Sequence, residues 1–265
     1  FYLLHHTRYY YDYVQSGEYA KSPIFTHQKH AFWELKNKTF GIIGMGTIGK
    51  RVAEIASAFG SEILYFSTSG LNKQAGYEHA TLEKLLMVSD VVSVHCPLNE
   101  QTRDLISTTE LQLMKKNAIL INMGRGGIVN EEALTQAIDK EYIAGAALDV
   151  LTNEPISTGN PLLSVTNKNR LLITPHIAWA SMESRRRLIK KIAENITVIA
   201  RRDRAIFSAA IGAGMRSPRR FAPRDDGGRP PAPRRCGRPS WRPAPPTASP
   251  PSASAPATPC GSRER

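Results

Sequence analysis

The sequence predicts an α/β protein built on a doubly wound parallel sheet, and three observations predict it. Short apolar runs recur between residues 39 and 180, separated by segments with helical periodicity. Most of these runs are continuously apolar rather than alternating, as strands buried on both faces of a parallel sheet require. A glycine-rich turn, GIIGMGTIG at residues 41–49, joins the first run to the first periodic segment.

Taken in order, residues 2–20 read as an aromatic-rich helix. Residues 21–38 (KSPIFTHQKHAFWELKNK) read as an extended arm carrying Ile24, Phe25, Phe32 and Trp33. The segment is too irregular to bury these side chains by itself, and exposed aromatics of this kind mark a contact surface. Strands are expected at 39–43, 62–66, 90–95, 118–122, 144–150 and 171–174. Between the first two, a helix over 47–59 places Ile48, Val52, Ile55, Ala56 and Phe59 on one stripe, and Gly60 can end it. Residues 181–202 form a further helix, with Ser181 as N-cap and Leu188, Ile192, Ile196 and Ile199 as its apolar stripe. The expected organisation is thus helix and arm (1–38), sheet domain (39–180), connecting helix (181–203) and tail (204–265).

Charge follows this division. The chain of 265 residues carries +12, but residues 204–265 hold 12 Arg, no Lys and only 3 acids, whereas residues 1–203 hold 23 Lys plus Arg against 20 acids. The sheet domain is near neutral, which argues against nucleic acid as its partner. The tail also holds 13 of the 18 prolines, so it is expected to be disordered and dispensable. A basic tail of this kind can bind RNA or DNA, but Arg, Pro, Ala, Gly and Ser without Lys is also what GC-rich DNA gives when translated out of frame, and that reading is preferred. No stretch reaches the roughly 20 apolar residues of a membrane span. No secretory signal precedes the arm, and the chain starts without Met, as if inside a longer reading frame. Cys96, Cys236 and Cys260 have neither metal-ligand nor disulfide spacing, so no metal and a reducing, cytoplasmic setting are expected.

Four motifs carry chemistry. In the first, Gly44, Gly46 and Gly49 have G-x-G-x-x-G spacing between an expected strand and an expected helix. This is the context of a Rossmann-type dinucleotide site, where phosphates meet free N–H groups at a helix N-terminus, here that of Thr47 and Ile48. The second strand should end in an acid for the ribose hydroxyls, yet the chain has Ser67 and Thr68, with Lys73 the nearest cation. NAD and NADP therefore both stay open. The second motif, INMGRGGIVNEEAL (121–134), places Arg125 in a glycine-rich turn after a strand, where its fork suits a carboxylate and an adjacent keto oxygen. The third, GAALDVLTNEP (145–155), puts Asp149 at a strand end and Glu154 just beyond. The fourth, ITPHIAWAS (173–181), puts His176 directly after the last strand.

These motifs, in this order and together with HCPLNEQTRDLI (95–106), resemble the D-isomer-specific 2-hydroxyacid dehydrogenases. HIAWAS and the aromatic arm are most similar to the glycerate dehydrogenase/hydroxypyruvate reductase branch. The resemblance covers roughly residues 1–200. It implies hydride transfer between NAD(P)H and a small 2-keto/2-hydroxy acid such as hydroxypyruvate/glycerate or glyoxylate/glycolate. It implies that Arg125, Glu154 and His176 are catalytic, and that Asp149 lies near the nicotinamide carboxamide. His95, Cys96, Pro97 and Leu98 would line the nicotinamide ribose, with Met123, Gly124, Arg125 and His176 beside the cofactor. A homodimer joined through the arm is implied as well. The family's second, substrate-binding domain is largely absent from these residues. Two other classes therefore share the pattern: a cofactor-binding but inactive fragment, and a non-enzymatic NAD-sensing module like the superfamily's transcriptional corepressors.

Overall fold

A computed structural model of the chain describes residues 1–70 and 74–212. Its sheet has seven strands: β1 (Thr39–Ile43), β2 (Glu62–Phe66), β3 (Glu78–His79), β4 (Val91–Val94), β5 (Ile119–Asn122), β6 (Gly145–Leu148) and β7 (Leu171–Ile173). All pairs are parallel, in the order β3-β2-β1-β4-β5-β6-β7. The doubly wound parallel sheet expected from the sequence is therefore present. The register aligns the carboxyl ends. Ile43 sits opposite Phe66 and Val94, Val94 opposite Asn122, Asn122 opposite Leu148, and Leu148 opposite Ile173. Loops beginning at Gly44, Ser67, His95, Met123, Asp149 and Thr174 thus leave one common edge. The sideways progression of the strand order reverses between β1 and β4, the crevice where such sheets bind ligands.

Helices precede, join and follow the strands. α1 (Thr7–Gln15) precedes the sheet, α2 (Thr47–Ala58) follows β1, α3 (Leu82–Val88) follows β3, α4 (Thr108–Leu113) follows β4, α5 (Glu131–Asp139) follows β5, and α6 (Met182–Gly212) follows β7. One core face packs Ile43, Val92, Val94 and Leu120 against α3, α4 and α5. The other packs Phe40, Ile42, Tyr65 and Val91 against Ala53 and Ala56 of α2.

Four expectations need correction. The face that α2 buries is Gly49, Ala53 and Ala56, whereas Ile48, Ile55 and Phe59 are 66%, 48% and 50% exposed. Small side chains let the helix lie close to the sheet, and a β-carbon at Gly49 would stand 2.3 Å from the Gly44 carbonyl oxygen. The larger residues are left at the rim, where Phe59 meets Phe1. The N-terminal helix is shorter than 2–20. It begins after His6, which adopts φ 49° without a side-chain cap, and is followed by Gly17 at φ 79°. α6 outruns residue 202, so the first nine residues of the expected tail are helical; the rest of that tail, and Lys73, lie outside the described residues. In the arm, Ile24, Phe25 and Phe32 are exposed, but Trp33 packs on the chain's own core beneath α2. The Ser181 hydroxyl accepts the Ser184 N–H, as an N-cap should.

Aromatic side chains of α1 hold the arm. Tyr9 Oη bonds His27 Nε2 at 2.9 Å, Tyr10 Oη donates to the His30 carbonyl, and Tyr13 stacks on His27 at 3.9 Å. Burial first, then His6, Lys29, His27 and Arg170, lower the His30 pKa from 6.5. A folded value below the unfolded one means that this contribution is present above the ordinary histidine range and is lost as pH falls. Hydrogen exchange of residues 22–32, corrected for its intrinsic rate, should therefore accelerate between about pH 8 and about pH 5 while the strands stay protected. Protection of the arm that does not change with pH would refute this.

Candidate active site at the carboxyl edge of the sheet

The edge begins with the glycine loop. Gly44 has φ 96°, and a β-carbon there would lie 2.6 Å from the Cys96 amide nitrogen, so only glycine fits. Gly46 is the N-cap of α2, and no side chain caps the helix. The first-turn amides are therefore left open beside the exposed Thr47 and Ile48. Nothing lies within 4 Å of a β-carbon built on Gly46. Open amides in an open cradle fit an anionic group such as a pyrophosphate. At the end of β2, Ser67 is buried and its hydroxyl has no hydrogen-bond partner among the described residues; Thr68 is half-buried.

Next to this loop lies a cleft of about 510 Å³ lined by Ile48, His95, Cys96, Pro97, Leu98, Met123, Gly124 and Arg125. Burial lowers the His95 pKa to about 4, so the ring is neutral, with Nε2 on Ser93 Oγ at 2.9 Å. Burial raises the Cys96 thiol to about 11, which removes it as a nucleophile at neutral pH. Arg125 is exposed on a turn built by Asn122, whose amide donates to the Arg125 carbonyl and accepts the Gly124 N–H. Its Nη1 donates to the Gly124 carbonyl.

A second cleft of about 510 Å³ is lined by Asp149, Leu151, Glu154, Pro155, Ile156, Ile173, Thr174, Pro175 and His176. His176 Nδ1 meets Glu154 Oε2 at 2.7 Å, and Glu154 Oε1 accepts the Leu151 N–H. That backbone bond first, then the His176 bond, hold the Glu154 carboxyl below the usual range. The bond to Glu154 engages Nδ1 and leaves Nε2 of the partly exposed His176 side chain without a hydrogen-bond partner among the described residues.

The structure thus brings Glu154 and His176 together and sets Arg125 in the neighbouring cleft, with no recorded contact to the pair among the described residues. Asp149 directly follows β6, as expected, and is bound to the loop beyond β7. Its Oδ1 accepts the Thr174 hydroxyl (2.6 Å) and the Ile177 N–H, and its Oδ2 accepts the Ala178 N–H. Burial works against its charge, but these donors and His176 outweigh it and lower the pKa. Asp149 therefore staples the loop that carries His176. Sequence reasoning missed the shaping roles of Asn122 and Asp149. An Asn directly before a glycine-rich turn was a usable signal for the first; the second depends on donors 25 to 29 residues away.

An apolar hollow of about 300 Å³ lies between residues 1–4, α2 and the sheet. It contains no acidic, basic or histidine side chain and has no part in this chemistry.

The fold and its edge define a Rossmann-type dinucleotide-binding domain. Residues 1–178 match the family model "D-isomer specific 2-hydroxyacid dehydrogenase, NAD binding domain", and the chain belongs to that family. It is 48% identical to the glyoxylate reductase of Aeropyrum pernix over 170 residues, 63% of this chain and 50% of that protein. It is 39% identical to the glycerate dehydrogenase of Methylorubrum extorquens over 183 residues, 69% of this chain and 56% of that protein. Among solved structures, it superposes on Aquifex aeolicus D-lactate dehydrogenase, complexed with NAD and lactic acid, at 28% identity and a TM-score of 0.68. That match covers 76% of this chain and 63% of the other. The chain spans about half the length of the curated relatives it matches. Among the described residues, no helix is long and apolar enough to cross a membrane.

Proposed function

We propose that this chain supplies the cofactor-binding and acid–base half of an enzyme that moves a hydride between NAD(P)H and a small 2-keto/2-hydroxy acid, with glyoxylate and hydroxypyruvate as the leading substrates. The observation that carries it is the Glu154–His176 pair at the carboxyl edge of the sheet, on the same edge as an uncapped helix N-terminus. The backbone amides at Gly46, Thr47, Ile48 and Gly49 would hold the pyrophosphate, Ser67 and Thr68 the adenosine ribose, and His95, Cys96, Pro97, Met123 and Gly124 the nicotinamide side. The cofactor supplies the hydride. His176 delivers or removes the hydroxyl proton through Nε2 while Glu154 orients the ring. Arg125 orients the substrate carboxylate and stabilises charge developing on the keto oxygen. Asp149 keeps the His176 loop in place and retains acceptor capacity for the carboxamide. The reading includes a homodimer through the exposed Ile24, Phe25 and Phe32 of the arm, in a cytoplasmic setting.

Titration of the chain with NADH and NADPH tests the cofactor half. Ser67 is neutral, so it neither anchors the ribose diol as an acid would nor repels a 2′-phosphate. The two affinities should lie within about 100-fold of each other. Ser67→Asp should shift preference toward NADH. A wider ratio for the unaltered chain would defeat this account of Ser67, and failure to bind either cofactor would defeat the proposed function.

A further inference from the structure

We propose that Glu131 is a positioning residue for the Glu154–His176 pair, an inference that rests on reading that pair as the acid–base unit. Glu154 sits on a loop that leaves β6 and contains no regular secondary structure until Pro161. One side chain holds both ends of it. Glu131 Oε1 accepts the Thr152 N–H at 2.6 Å, and Glu131 Oε2 accepts Asn160 Nδ2 at 2.7 Å. Glu131 is the first residue of α5, a helix that buries Ala133, Leu134, Thr135, Ala137 and Ile138, so its backbone is fixed to the core. Glu131 lies six residues after Arg125 in sequence. The Arg125 turn is pressed against the same loop, because a β-carbon on Gly126 would stand 1.9 Å from the Leu151 carbonyl oxygen. The carboxylate of Glu131 therefore locks the loop of Glu154 to the helix that leads out of the Arg125 turn. Through Glu154 it reaches His176.

The plain alternative is that Glu131 only complements the dipole at the N-terminus of α5. Glu132 lies in the same first turn and, among the described residues, makes no side-chain bond to the loop, so it serves as the control. Asn160 cannot compensate by turning its amide, because its Oδ1 already accepts the Leu162 N–H. Glu131→Gln should therefore lose the Asn160 tether and keep the Thr152 one, while Glu131→Ala loses both.

The test reads the tautomer of neutral His176 in the full chain by long-range nitrogen–proton NMR. Glu154 accepts at Nδ1, so the unaltered chain and Glu132→Gln should show the Nδ1–H tautomer. Glu131→Ala should revert largely to the Nε2–H form of a free imidazole, with Glu131→Gln between the two. Exchange of the Thr152 amide should accelerate about tenfold or more in Glu131→Ala, as expected for loss of a hydrogen bond to a charged acceptor. Loss of helix-dipole stabilisation alone would lower melting temperature equally in the Glu131→Gln and Glu132→Gln variants and leave the tautomer unchanged. An Nδ1–H tautomer that persists in folded Glu131→Gln and Glu131→Ala overturns the proposal. An Nε2–H tautomer in the unaltered chain overturns the pair itself, and the proposal with it.

Discussion

Replacing His176 by Ala should cut turnover by about 10²–10⁴-fold, the usual contribution of a positioned acid, and leave cofactor affinity within a few-fold. The assay uses this chain joined to the portion of the Aeropyrum pernix glyoxylate reductase outside the matched half. The asymmetry follows from when the proton is needed: only as the alkoxide forms, and not during binding of NADH. Glu154→Gln should give a different signature. The native Glu154 carboxyl titrates below its usual range, so it is charged throughout the neutral region and accepts from Nδ1 of the ring. The amide keeps a hydrogen-bonding partner for the ring but removes the charge, so turnover should fall, but by less than in His176→Ala. Steady-state rates across pH with hydroxypyruvate or glyoxylate decide this, and unchanged turnover in His176→Ala would remove the mechanism.

The second large effect is structural. A methyl group at Gly126 would stand 1.9 Å and 2.0 Å from the Leu151 carbonyl oxygen and carbon, and 2.6 Å from the Thr152 nitrogen. All three are backbone atoms, so no side chain can swing aside, and one of the two loops must move. Overpacking of this kind costs about 1–3 kcal/mol, or roughly 2–12 °C in melting temperature for a unit of about 200 residues. Gly46→Ala is the instructive comparison. Its added methyl meets nothing within 4 Å, so stability should hold while cofactor binding weakens because the cradle is filled. Thermal unfolding and cofactor titration of both variants separate the effects. A Gly126→Ala protein that melts with the native one would show that the two loops are not pressed together.

How much of this was legible in the sequence depended on whether the signal was local. The runs at 39–43 and 62–66 match β1 and β2 to the residue, because continuous Ile, Leu, Tyr and Phe bounded by glycine or charge has no other good use. β3 is two exposed residues, Glu78 and His79, and carries no apolar pattern to read. The face of α2 was misread because size was taken as a guide to burial. The sheet instead selects the residues that permit close approach, Gly49, Ala53 and Ala56. Glu154 and His176 could be nominated from their places after strands, but their contact joins residues 22 apart and is fixed by strand register. Trp33 and Phe25 lie in one irregular segment, and nothing local tells which of them turns inward.

His176 itself occupies the left-handed region, at φ 53°. A residue with a β-carbon is disfavoured there by about 1–2 kcal/mol, whereas glycine adopts it freely. At most positions alanine is the more stabilising of the two, and here that order is reversed. On the function proposed above, folding and proton transfer therefore favour different residues at position 176, and a copy of the chain relieved of that chemistry would be expected to drift toward glycine there.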